Sequence, residues 1–174
     1  MEIGERIALV ANSLVGQTEV KGNLGFTDAQ FQVMMEAVGW KRGEAWCAYF
    51  AELVWKLVNV RYPKANQELD KLFSGSTVQT WKNFFSSPYI TNDQPVKGAV
   101  VIWQKFKNGE GQWSGHAGIV SEVHDSKFVS IEGNTNDKGG REGYIVAKKN
   151  RQYKFNTENG LRVLGFIHPV KGEL

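Results

Sequence analysis

Residues 116–134 read His116-Ala117-Gly118-Ile119-Val120-Ser121-Glu122-Val123-His124-Asp125-Ser126-Lys127-Phe128-Val129-Ser130-Ile131-Glu132-Gly133-Asn134. Two runs rich in β-branched and aromatic residues flank a polar His124-Asp125-Ser126 segment, the pattern of two short strands joined by a tight turn. Gly98 to Trp103 upstream, and Gly143 to Lys148 and Leu161 to His168 downstream, have the same character. Before Pro88 the period changes. Ile3, Ile7, Val10, Ala11 and Leu14 recur at helical spacing and predict a helix over residues 2–15 that ends near Gly16. Thr27-Asp28-Ala29-Gln30 reads as a capping box opening a second helix over residues 28–38, with Phe31, Met34, Met35 and Val38 inward. A third helix runs from Ala45 to Val60, ending before Pro63, and a short helical segment begins at Thr77. Helices first and strands second predict an α+β domain, its N-terminal helices packed on a mainly antiparallel C-terminal sheet.

The chain has 174 residues, 41% hydrophobic and 22% charged, with no repeat and no low-complexity run. That length suits one domain over residues 1–174, with a core of its own and no room for a second. The formal charge of +3 comes from scattered Lys and Arg residues, not from the stripe that nucleic acid requires. It suits a polyanionic surface, through an attraction that weakens with salt, and equally well suits plain solubility. No apolar stretch approaches a membrane span. The start Met1-Glu2-Ile3-Gly4-Glu5-Arg6-Ile7 has acids where a secretory leader has bases, so synthesis in the cytoplasm without a signal peptide is expected.

Cys47 is the only cysteine. It excludes a disulfide framework within the chain and leaves either an inert buried thiol or a reactive one. On the third helix Cys47, Phe50, Ala51, Val54 and Val58 share a face, which by itself describes a core thiol. Its place in the first turn favours the other reading. Unpaired N–H groups and the positive end of the helix dipole stabilise a thiolate there, and the same groups can bind the oxyanion formed when sulfur attacks a carbonyl.

A thiolate nucleophile needs a base and a group to orient that base. Of the three histidines, His168 lies beside Pro169 and His124 in a turn, whereas His116 opens a strand between Gly115 and Gly118, where small neighbours leave room for a substrate. By the period of two, Glu132 and Asn134 share one face of the following strand. A three-residue turn at His124 to Ser126 puts His116 on that face, opposite Asn134, with Glu132 opposite Gly118; a two-residue turn without a bulge would separate them.

Three segments, Glu44-Ala45-Trp46-Cys47-Ala48-Tyr49-Phe50, Gly115-His116-Ala117-Gly118-Ile119-Val120 and Ile131-Glu132-Gly133-Asn134-Thr135, resemble in that order the signature blocks of the CHAP domain, the cysteine, histidine-dependent amidohydrolases and peptidases. The Lys97-Gly98-Ala99-Val100-Val101 segment is also similar to the family's pattern. The resemblance implies a papain-like α+β fold in which Cys47 is the nucleophile, His116 the general base and acid, Glu132 the residue orienting His116, and Asn134 an accessory to the histidine or the oxyanion. It implies hydrolysis of peptidoglycan amides, as an N-acetylmuramoyl-L-alanine amidase or a peptide endopeptidase. Many relatives are phage endolysins, for which holin-dependent delivery would apply; an interbacterial toxin with an immunity protein, or an inactive wall-binding module, are the rival readings. Residues 39–46 hold one acid, Glu44, so the calcium loop of some relatives is not expected here, and neither metal nor cofactor is predicted. A monomer is expected. Trp46, Tyr49, Trp103 and above all Trp113, in the glycine-bounded loop Gly111-Gln112-Trp113-Ser114-Gly115 next to His116, are candidates to line a substrate groove, although aromatics in such numbers usually fill a core.

Overall fold

The computed structural model describes residues 1–136 and 143–170. Five helices, α1 (Ile3–Ser13), α2 (Ala29–Ala37), α3 (Cys47–Val58), α4 (Pro63–Leu72) and α5 (Thr77–Phe85), precede the strands. The strands are β1 (Thr91–Asn92), β2 (Val100–Lys107), β3 (Glu110–Val123), β4 (Lys127–Thr135), β5 (Ile145–Gln152) and β6 (Gly160–Ile167). They form one sheet in the order β1-β6-β2-β3-β4-β5, with every neighbouring pair antiparallel. The fold is therefore α+β, helices first and sheet second.

Both faces of the sheet are covered. The helices bury Phe31, Met35, Phe50, Val54 and Trp55 against Val100, Ile102, Ile119 and Ile131. The other face carries a smaller core of Val101, Trp103, Val120, Phe128 and Phe166, closed over by Tyr153 and Phe155. Burial on both faces explains why Val100 to Trp103 is continuously apolar instead of alternating.

Several local features differ from expectation. The cap of α2 is Asp28, whose carboxylate accepts the Phe31 N–H at 2.7 Å, and Gln32 accepts the Phe26 N–H at 2.8 Å. Helix α4 was not anticipated, because Pro63 reads as a stop; it also serves as a start, since proline at the first helical position removes an N–H that would have no partner. The stretch from Gly111 to Gly115 is not a loop. It continues β3 outward, paired with β2 and turned at Asn108-Gly109, both at positive φ, the residues a two-residue hairpin prefers.

The β3–β4 connection has consequences for the site. His124 N–H donates to the Lys127 carbonyl at 2.9 Å, so the turn has two residues, Asp125 and Ser126, not three. A two-residue turn alone would place His116 and Glu132 on opposite faces. Ser121 prevents this: Val123 pairs with Phe128 and Glu122 with Val129, but Val120 pairs with Ser130 and Ile119 with Ile131, leaving Ser121 as a bulge. One extra residue restores the register, and Gly118 lies against Glu132 as expected, a Cβ on Gly118 falling 2.7 Å from the Glu132 Cγ.

Candidate active site

Cys47 is the first residue of α3 and is buried. Among the described residues no side chain caps this helix. Its start is braced from outside by Asn134, whose Oδ1 accepts the Trp46 N–H at 3.1 Å while its Nδ2 donates to the Gly143 carbonyl at 3.0 Å. Asn134 reaches these partners from a left-handed conformation, φ 52, which asparagine tolerates better than most residues. Gly133 sets the approach: a Cβ there would lie 2.7 Å from both Phe50 Cβ and Trp46 Cζ3, so the helix start rests directly on the β4 backbone. Among the described residues the Cys47 N–H has no acceptor, which leaves it free for an oxyanion beside its own sulfur.

His116 projects from the sheet face that carries the smaller core. Directly opposite Trp103 in the β2–β3 ladder, its ring lies over that indole at 5.7 Å. Its Nε2 meets Glu132 Oε2 at 2.8 Å, which leaves Nδ1 as the ring nitrogen for Cys47. Glu132 is completely buried yet saturated with donors. Ser130 Oγ donates to Oε1 at 2.5 Å, Thr135 Oγ1 to Oε2 at 3.4 Å, and Arg151 to both oxygens, Nε at 2.7 Å and Nη2 at 2.5 Å. The Arg151 guanidinium in turn lies 5.2 Å from the Trp103 ring centre, a cation–π contact that fixes the plane of the fork.

The charges follow from these contacts. Burial opposes protonation of His116, but the charge and hydrogen bond of Cys47, and then those of Glu132, outweigh it and raise the imidazole to about 10. Burial opposes ionisation of Glu132; the hydrogen bonds of Arg151 and then His116 prevail and hold the carboxyl well below the usual range. Three of these groups open on one cavity of about 560 Å³, lined by Cys47, His116, Asn134 and Arg151. A protonated imidazole held between a sulfur and a buried carboxylate, at the floor of a ligand-sized opening, can deliver a proton to a leaving group and take one from water.

Cys47, His116, Glu132 and Asn134 thus come together at one site. Of the two expected roles of Asn134, beside the histidine or beside the oxyanion, no hydrogen bond to His116 accompanies the first among the described residues, and its Oδ1 accepts the Trp46 N–H at the start of α3. Three of the four aromatic residues are placed elsewhere than expected. Trp46 is fully buried, donating its indole N–H to Glu19 at 2.6 Å and packing edge-on against Phe26, and so forms no wall of a groove. Tyr49 donates to Glu44 at 2.7 Å and packs against Gly75, away from the cavity lining. Trp103 is the buried floor under His116 and Arg151. Trp113 alone is open to solvent, 86% exposed, two residues from the cavity wall at Gly115.

Arg151 and Ser130 were not anticipated. The polar run Lys148-Lys149-Asn150-Arg151-Gln152 resembles a turn, yet β5 continues through it, and alternation from Ala147 opposite Glu132 puts Arg151 on the Glu132 face. Extending that alternation was the available signal. Among the described residues there is no group of three or more His, Cys, Asp or Glu able to hold a metal, and no helix long and apolar enough to cross a membrane.

No curated protein and no solved structure gives a significant match. The sequence model of the CHAP domain matches residues 39–134, more than half of the chain, a span that contains Cys47, His116, Glu132 and Asn134. The chain therefore belongs to the CHAP domain family, whose members are generally hydrolases of the bacterial cell wall.

Proposed function

We propose that this protein hydrolyses an amide bond of peptidoglycan, as a muramoyl-alanine amidase or a peptide endopeptidase, through a thioester on Cys47. The observation that carries the reading is His116, held by Glu132 on one side and facing the Cys47 sulfur on the other, at the floor of an open cavity. In the first half-reaction the sulfur forms a bond to the amide carbon, and the oxyanion is received by the Cys47 N–H and the start of α3. The C–N bond then breaks, and the amine departs with the proton of His116. In the second, neutral His116 takes a proton from water, the hydroxide attacks the thioester, and the sulfur leaves with its charge restored beside the reprotonated imidazole. Glu132 keeps the ring oriented throughout and offsets its positive charge, while Arg151 keeps Glu132 ionised. In this reading the protein acts on the wall after release or delivery. The test is release of soluble fragments from purified sacculi.

A pH dependence follows. His116 must be protonated to expel the amine, and its proton is held more tightly than in a free imidazole. Activity should persist through neutral pH and fall as pH rises through about 10, where His116 loses that proton. A profile of kcat/KM against pH checks this; an alkaline limb near the ordinary imidazole value would contradict the coupling to Cys47 and Glu132.

Trp113 is proposed to contact substrate, since 86% exposure gives this large ring no folding role to compensate for its contact with water. Trp113→Ala should reduce turnover on sacculi by roughly tenfold, the scale of a lost aromatic contact, with thermal stability nearly unchanged. A parallel loss of melting temperature would show that the residue is structural.

A further inference from the structure

We propose that the cavity selects a substrate carrying a carboxylate close to the amide it cleaves, recognised by Lys105 and Lys149; for a wall substrate this rests on the hydrolase reading above. The charges on the cavity wall are unevenly matched. Arg151 is matched by Glu132, which takes both of its hydrogen bonds, and His116 is matched by Cys47 and Glu132. Among the described residues of the lining, two charged ones are left over, Lys105 and Lys149, and none is Asp or Glu. Neither lysine makes a side-chain hydrogen bond or ion pair among the described residues, whereas Lys56 pairs with Asp70 and Lys71 with Glu68 elsewhere on the surface.

Their placement follows from the sheet. Lys105 lies two residues after Trp103 on β2, and Lys149 two residues before Arg151 on β5, so both belong to the face that carries His116. With β3 and β4 between them, they flank the reacting groups from two sides. Two like charges across one concavity repel a cationic ligand, do little for a neutral one and draw in an anion. Lysine suits this task as a mobile point charge, able to follow a carboxylate that is not held in one orientation. The ligand class is a peptide with a free carboxylate, either on a glutamyl residue or at its C-terminus. In peptidoglycan the glutamyl carboxylate occurs free or amidated, so the two lysines would discriminate between those forms.

The test uses the full chain carrying Cys47→Ala, which separates binding from turnover, and three probes. These are N-acetylmuramoyl-L-alanyl-γ-D-glutamyl-L-lysine amide, its isoglutamine counterpart, and that counterpart with a free C-terminal carboxylate. At low salt at least one carboxylate-bearing probe is expected to bind roughly tenfold more tightly than the fully amidated one, and which of the two does so identifies the carboxylate recognised. The preference should disappear when Lys105→Gln and Lys149→Gln are added. Equal binding of all three probes, no binding of any, or a preference that survives both substitutions would overturn the inference. Digestion of sacculi by the wild type is read separately. Digestion without a carboxylate preference leaves the hydrolase reading standing and removes this one; a preference without digestion removes the hydrolase reading and overturns the inference as a statement about a substrate, leaving only carboxylate binding.

Discussion

Cys47→Ala is expected to abolish release of fragments from purified sacculi, lowering the rate by at least about four orders of magnitude, because the nucleophile and its base act as one unit. The protein should remain folded. Cys47 is small, and removing its sulfur leaves a void at the edge of an open cavity instead of in a closed core. The neighbouring contacts that fix the start of α3, Asn134 on the Trp46 N–H and Trp46 on Glu19, do not involve the thiol. Thermal unfolding should therefore shift by only a few degrees, the scale of about 1 kcal/mol in a chain of this size. The substitution also removes the charge that most strongly favours protonated His116. An imidazole proton titrating at lower pH in the variant, followed by NMR, would show that the pair is coupled.

Glu132→Gln is expected to reduce both activity and stability. Its carboxylate is wholly buried and accepts two hydrogen bonds from Arg151, so the amide replaces an ionised acceptor with a group that presents N–H to at least one existing donor. Breaking a buried ion pair on one side costs about 3–5 kcal/mol. Arg151 is 29% exposed and can recruit water, which brings the expected loss to about 2–3 kcal/mol. The melting temperature should fall by roughly 5–10 °C. The rate should drop by roughly 10²–10⁴, as His116 loses both its orientation and the charge that stabilises its protonated form.

The pH dependence of stability distinguishes this account from simple loss of packing. The folded carboxyl of Glu132 ionises well below its unfolded counterpart, so its contribution is complete above the usual carboxylate range and is lost as pH falls through and below that range. Wild type and Glu132→Gln should therefore converge in stability at acid pH. A gap that stays constant with pH would indicate packing alone. Arg151→Met tests the same network from its other end: it should lower kcat, and the acid-side loss of stability that belongs to Glu132 should move to higher pH as its carboxyl loses the arginine, whereas a merely structural role would leave that loss in place.

Most of the fold was legible in the sequence, for identifiable reasons. The shift from helical spacing before Pro88 to strand-like runs after it reflects where each element buries its apolar side chains, and the structure follows it. Cys47, His116 and Glu132 were legible because helix position and strand alternation are local properties. The bulge at Ser121 was not, since a bulge depends on how two strands fit and carries no marker within one of them. The expected register was reached through two deviations that cancel, a shorter turn and an extra residue. Pro63 concealed α4 because proline both ends helices and begins them. Arg151 was hidden in a polar run whose strand conformation is imposed by pairing with β4, not by its own composition. Trp46 shows the converse. Adjacent to Cys47, it reads as a groove residue, yet the side chain before the first residue of a helix points where the loop directs it, here into the core against Phe26 and Phe31.

The central claim is that Cys47, served by His116, cleaves an amide bond in peptidoglycan. Digestion of purified sacculi in ¹⁸O-enriched water, with mass analysis of the soluble fragments, tests it most directly. The wild type should generate paired new ends, an amine and a carboxylate that has gained one labelled oxygen from solvent, and Cys47→Ala should generate neither. The same fragments from Cys47→Ala, or wild-type products that are cut only between sugars, would contradict the account.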